Sequence, residues 1–220
     1  MHLNSLVKIN AAMTVDGKIA TVSGFSSMSS KQDLKRVHQL RSSVDAIMVG
    51  IRTVIVDNPM LSVRISKKKG ENPLRVIIDS RARIPITSKI LRSAHTVKTL
   101  VAVTSKAPLA SIKRIENSGA KVLIAGKRTV DLKKVFSYLK KNGIRKTLVE
   151  GGGELNWSIL SQRLASELIV TVAPFIVGGR NAITLVEGDG YPKVSTAIRM
   201  KLKRISRQKN GEVILHYSLR

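Results

Sequence analysis

The sequence contains no cysteine, which excludes disulfides, thiolate zinc sites, iron–sulfur clusters and cysteine nucleophiles together. Aromatic residues make up only 3%, so the stacking platforms of single-strand binders are nearly missing. Acidic residues are scarce as well, 14 Asp+Glu against 39 Lys+Arg, which leaves a net charge of +25. That balance draws phosphate-bearing partners, small or polymeric. The basic clusters, such as Lys67-Lys-Lys69, Lys133-Lys134, Lys140-Lys141 and Lys201–Arg207, are spread over the whole chain. No helix-turn-helix or RNP-like signature accompanies them, and specific nucleic-acid binding is not expected. No apolar run approaches the roughly 20 residues of a membrane span, and no cleavable export signal opens the chain. A soluble, cytoplasmic protein is expected. His2, His38, His95 and His216 show no metal spacing, and no metal site is expected.

What is present is an alternation of apolar β-rich runs with amphipathic stretches, the pattern of strands joined by crossover helices. Strands are expected at Leu6–Met13, Asp45–Gly50, Leu74–Asp79, Thr99–Val103, Ala120–Ala125, Lys146–Glu150 and Glu167–Phe175. Ser30-Lys-Gln-Asp33 matches a capping box opening a helix with Leu34, Val37, His38 and Arg41 along one side. Pro108–Ser118, closed by Gly119, Asp131–Lys141 and Leu155–Leu164 read as further helices. Met200–Arg207 and Val213–Leu219 alternate about Asn210-Gly211, a type I′ hairpin signal, so the last two strands should pair antiparallel. The fold class is α/β, a mixed, mostly parallel sheet flanked by helices. With no repeat and no linker richer than Ser66-Lys-Lys-Lys-Gly70, one domain over 1–220 is expected.

Three strand ends carry hydroxyls, glycines and cations. Glu150-Gly-Gly-Gly-Glu154 stands where a strand hands over to a helix, so backbone N–H groups can converge on an anion that also feels the helix dipole. Without a ligand the same residues make a tight turn, and neither a Walker A loop nor Gly-x-Gly-x-x-Gly is present. Glu150, at the end of a central strand, can bind or protonate a polar ring or simply pair with a Lys or Arg. Thr53 and Asp57 fall one helical turn apart, although Thr53 also suits a helix N-cap. Asp79-Ser80-Arg81-Ala82-Arg83 offers a hydroxyl and two guanidiniums able to grip phosphate. Asp16-Gly17 and Gly178-Gly179 read as turns.

Thr14-Val-Asp16-Gly17-Lys18-Ile-Ala20, His38-x-x-Arg41, Asp45-Ala-Ile-Met-Val-Gly50-x-x-Thr53-x-x-x-Asp57-x-Pro59-x-Leu61, Arg75-Val-Ile-Ile-Asp79-Ser80 and Glu150-Gly151-Gly152 together resemble the reductases of riboflavin biosynthesis, the free-standing archaeal forms in particular. The resemblance spans nearly the whole chain. It implies a dihydrofolate-reductase-like fold, a homodimer and an NADPH-dependent oxidoreductase, with NADH as the alternative cofactor. NADPH is then expected along Met13, Thr53, Asp57, Ser80, Arg81, Ala82, Arg83, Val130, Gly151, Gly152, Gly153 and Glu154, with Arg81 and Arg83 able to meet a 2′-phosphate. A phosphorylated ribosylaminopyrimidine is expected at Ser26 or Ser27, Arg41, Leu61, Arg64 and Glu150. Glu150 and Asp57 are the expected catalytic pair. The missing cysteines rule out the zinc deaminase chemistry that accompanies this domain in bacteria, so the substrate should still carry both amino groups. The competing functions are pteridine or dihydrofolate-type reduction on the same fold, and a basic nucleic-acid-binding protein.

Overall fold

The computed structural model describes residues 5–63 and 72–219; Arg64 and the Ser66–Gly70 run lie outside the described residues. Along the chain the elements are β1 (Leu6–Thr14), α1 (Lys31–Ser42), β2 (Ala46–Gly50), α2 (Ile51–Asp57), β3 (Leu74–Ile78), α3 (Lys89–Arg92), β4 (Thr99–Val103), α4 (Leu109–Asn117), β5 (Lys121–Ile124), α5 (Leu132–Lys141), β6 (Lys146–Val149), α6 (Gly153–Ser161), β7 (Glu167–Ala173), β8 (Met200–Arg207) and β9 (Val213–Leu219). The sheet is mixed and mostly parallel, with an antiparallel C-terminal hairpin. The chain separates into two compact units, one built mainly from Arg36–Leu148 and the other from Leu6–Lys35 with Val149–Arg220.

In the first unit the strands run in the order β5-β4-β3-β2-β6. β2, β3, β4 and β5 pair in parallel. Parallel strands covered on both faces read as continuous apolar runs, and β4 is buried at all of its positions. Ile47, Val49, Ile77, Val101 and Val103 pack with Ile84, Ile90, Leu91, Ile112 and Ile115 from the segments that follow the strands. Asp45, expected inside the second strand, sits just before it and accepts the backbone N–H groups of Arg145 at 2.8 Å and Lys146 at 2.7 Å, which fixes where β6 begins.

Arg75 on β3 is fully buried, and its partners are neutral oxygens. Its guanidinium donates to Thr99 Oγ1 at 2.7 and 3.0 Å, to Ser93 Oγ at 2.8 Å, to the carbonyls of Ile90 and Val97 at 2.9 Å each and to that of Met60 at 3.4 Å. Loss of hydration pulls its pKa down to about 10, which leaves it charged at neutral pH. One side chain thereby joins β3, α3, the start of β4 and the segment after α2.

In the second unit the order is β1-β7-β9-β8. β1 and β7 are parallel, whereas β7–β9 and β9–β8 are antiparallel. β8 ends this order; it exposes Lys201, Lys203, Arg204 and Arg207 together with Met200, Leu202 and Ile205, and its register against β9 shifts between Leu202 and Arg204. The hairpin loop differs from the type I′ expectation. Gly211 has φ +87° while Asn210 is not in the left-handed region, and Gln208 bonds both Gly211 N–H and Glu212 carbonyl. The loop is therefore the three-residue Lys209–Gly211 form.

Ser30 caps α1 as expected, accepting the Asp33 N–H at 3.1 Å. The reciprocal half of the box comes from elsewhere: Glu212, only 2% exposed, accepts Ser30 N–H at 3.0 Å and Ser30 Oγ–H at 2.7 Å, while Asp33 accepts from Thr171. Leu34 is 49% exposed rather than on the buried side, since Asp33 and Val37 point inward.

Asp16 does more than turn the chain. Its carboxylate accepts Thr14 Oγ1 at 2.6 Å and the amides of Val177 at 3.2 Å and Gly178 at 2.7 Å, and these bonds, the threonine hydroxyl foremost, hold its pKa down to about 2. A carboxyl with an unfolded pKa near 3.8 contributes its full stability above that pH and loses it as pH falls toward 2. Asp16→Asn should lower the melting temperature at pH 7 and leave it unchanged near the acid limit, as calorimetry across pH will read.

Candidate active site

In the first unit the expected residues stand at the C-terminal ends of parallel strands, where open α/β sheets hold ligands. After β2, α2 begins directly, with Gly50 as an N-cap that offers no side-chain bond. Thr53 is thus mid-helix and not the cap its spacing also allowed; its half-buried hydroxyl lies one turn before exposed Asp57. The chain then reverses through Asn58 and Leu61, at φ 42° and 49°. This reversal is held by Asn58 Oδ1, which accepts Lys89 N–H at 2.8 Å, by Arg75, and by Arg41, whose Nη1 donates to the Ser62 carbonyl at 3.3 Å. Leu61 is 2% exposed, so what it can offer a ligand is main chain.

After β3, the Ser80–Arg83 loop alternates inward and outward. Ala82 at 1% and Ile84 at 0% exposure anchor it in the core, while Arg81 and Arg83 face solvent. Asp79, expected as the last strand residue, instead braces the loop: Oδ2 accepts Ile84 N–H at 2.8 Å. Its Oδ1 has no hydrogen-bond partner, and Arg83 Nε stands 3.9 Å away, too far to bond. Burial pushes this carboxyl up from the usual range despite those neighbours. After β5, Val130 is buried beside Asp131, which caps α5 by accepting Lys134 N–H at 3.1 Å.

In the second unit, Met13 is half-buried near the end of β1, opposite Val172. Ser26 is half-buried and Ser27 exposed. Half-buried Glu150 follows β6 directly, and the glycines divide their work. Gly151 has φ +95° with open space where a Cβ would stand, and Gly152 is the N-cap of α6, again with no side-chain bond. Gly153 is required by packing instead, because a Cβ there would lie 2.6 Å from Glu187 Cγ and 2.7 Å from the Thr184 carbonyl. The helix consequently starts two residues earlier than its apolar pattern predicts. An uncapped α6 N-terminus with Glu154 in its first turn leaves backbone donors for an anion.

Residues 5–214 match the model of the RibD C-terminal domain. The chain belongs to the RibD C-terminal domain family. It is 44% identical over 97% of its length to the 2,5-diamino-6-ribosylamino-4(3H)-pyrimidinone 5′-phosphate reductase of Methanothermobacter thermautotrophicus, 98% of which is covered. Its structure resembles RibD of Acinetobacter baumannii with a TM-score of 0.83 and 27% identity, covering 98% of this chain and 58% of that longer one. Dihydrofolate reductase of Enterococcus faecalis, at TM-score 0.55 and 10% identity over 100% of this chain and 99% of that one, shares the fold. The RibD domain match spans both compact units.

The family motifs named the loop residues but not what holds them. Thr104, Arg114 and Glu212 carry no motif of their own, and their bonds to backbone groups appear only once the chain is folded.

Proposed function

We propose that this chain is the reductase that converts the ribosylamino side chain of 2,5-diamino-6-ribosylamino-4(3H)-pyrimidinone 5′-phosphate into the ribitylamino form, in the cytoplasm and as a homodimer. The observation that carries it is the 44% identity, over 97% of the chain, to a relative of that name. The residues present suit a phosphorylated dinucleotide. Arg81 and Arg83 are exposed guanidiniums on a braced loop, suited to a 2′-phosphate and hence to NADPH over NADH. Thr53, Asp57, Met13 and Val130 would contact the remainder, and the Gly151–Glu154 turn would receive phosphate on backbone N–H groups. The nicotinamide, when bound, supplies a hydride.

The protein's own groups position and polarise the substrate. Arg41 and Arg64 would grip its phosphate, Ser26 or Ser27 and the main chain at Leu61 would orient it, and Glu150 would accept hydrogen bonds from the pyrimidine amino groups. Asp57 would move a proton from the glycosylamine nitrogen to the ring oxygen as the ribosyl ring opens to the C1′ imine; hydride addition at C1′ with uptake of a proton at that nitrogen leaves the ribitylamine.

The phosphate grip is testable by comparing the phosphate ester with its dephosphorylated analogue. Losing a hydrogen-bonded charge contact costs about 1.5–3 kcal/mol. Arg64→Ala should therefore raise KM for the ester by roughly 10- to 100-fold and leave the analogue unaffected. Equal effects on both would contradict the assignment.

A further inference from the structure

Arg81 and Arg83 sit on a loop whose backbone is bound from behind by Asp79, which lies within a family motif, and by Thr104 and Arg114, which lie outside every one. The Ser80 carbonyl accepts both Thr104 Oγ1–H at 2.8 Å and Thr104 N–H at 3.2 Å. Arg114 of α4 donates Nη2 to the carbonyls of Ala82 at 3.3 Å and Ile84 at 3.4 Å. Asp79 receives the Ala82 N–H on its carbonyl at 3.1 Å and the Ile84 N–H on its carboxylate at 2.8 Å. Ala82 is held at φ +54° with its methyl group buried, a conformation a side chain rarely adopts and that persists only where the surroundings fix it. With alternate residues clamped, the backbone positions from which the two exposed guanidiniums extend are fixed. A loop already ordered loses less entropy on meeting a phosphate than a mobile one.

We propose that Thr104 and Arg114 are positioning residues which, through the Ser80–Ile84 backbone, set how strongly this reductase prefers a 2′-phosphorylated cofactor. Neither need touch the ligand. This rests on the assignment of Arg81 and Arg83 to the cofactor phosphate, and the test separates the two ideas.

The test uses the full chain and two small probes, adenosine 2′,5′-bisphosphate and 5′-AMP, titrated calorimetrically, alongside KM for NADPH and NADH. Thr104→Val keeps the side chain's shape and removes the hydroxyl; Arg114→Met keeps the stem and removes the donors. One neutral hydrogen bond is worth about 1 kcal/mol, so Thr104→Val should lose about fivefold in preference for the bisphosphate; Arg114→Met gives up two long bonds from a charged donor and should lose at least as much, and the double variant at least about 25-fold. Thr104→Ser should restore the preference. The KM for the pyrimidine and kcat at saturating NADPH should not move. Equal weakening of both probes, or unchanged preference in a folded double variant, overturns the positioning role. If Arg81→Ala and Arg83→Ala themselves leave the preference intact, or the wild type shows none, the cofactor-loop assignment falls and the positioning role with it.

Discussion

Arg75→Met is expected to destabilise the protein by about 3 kcal/mol, read as a lower urea midpoint at constant m-value. Six donor–acceptor contacts, made by the five guanidinium N–H groups, disappear together. Methionine fills most of the stem's volume, so the loss is chiefly that of the donated bonds. An unpaired buried acceptor costs about 1–3 kcal/mol, and the Ile90 and Val97 carbonyls, which keep the Ser93 and Thr99 hydroxyls at 3.2 and 2.9 Å, are left under-satisfied rather than bare. Relief from burying a charge works in the opposite direction and keeps the net loss below the sum of the parts. Arg75→Lys should recover only part, since one ammonium cannot reach the carbonyls around a planar fork. A loss under 1 kcal/mol would mean that the fold does not depend on this network.

Glu150→Gln is expected to reduce kcat/KM by roughly 10- to 100-fold while changing the Kd for NADPH less than twofold. The basis is the charge-assisted hydrogen bond a carboxylate makes to amino groups, worth about 1.5–3 kcal/mol. Glutamine keeps the size of the side chain but offers one acceptor and an NH2 group that opposes the substrate's own donors. Equal losses in cofactor binding and turnover would move Glu150 from the substrate to the nicotinamide.

The central strands β2 and β4 were legible because they are buried on both faces and so appear as uninterrupted apolar runs; Ala46–Gly50 and Thr99–Val103 need no tertiary context to be recognised. Polar residues at strand ends were less so. Asp45, Asp79 and Glu150 look like final or first strand residues, yet each belongs to the neighbouring turn, two of them as acceptors for amides far along the chain or across a loop. The four-residue α3 is too short to show a period, and the start of α6 is hidden because Gly153, a poor helix former, is held there by packing against Glu187 and Thr184. The α1 cap needed Glu212, 182 residues away, which no local pattern could name. Among the candidate residues, the one-turn spacing of Thr53 and Asp57 was legible from the sequence, whereas Arg81 and Arg83 were read as two guanidiniums after a strand end, and their alternation with buried Ala82 and Ile84 shows only in the fold. That Leu61 and Ala82 present backbone rather than side chain is a matter of burial, and only the fold shows it.

The most direct test is the loss of NADPH absorbance when the protein meets freshly prepared 2,5-diamino-6-ribosylamino-4(3H)-pyrimidinone 5′-phosphate, run beside the deaminated pyrimidine and dihydrofolate. Oxidation with the diamino compound alone, with the ribitylamino product in equal amount, is the predicted result. Oxidation with dihydrofolate, or none with any of the three while duplex nucleic acid binds tightly across salt, would contradict it.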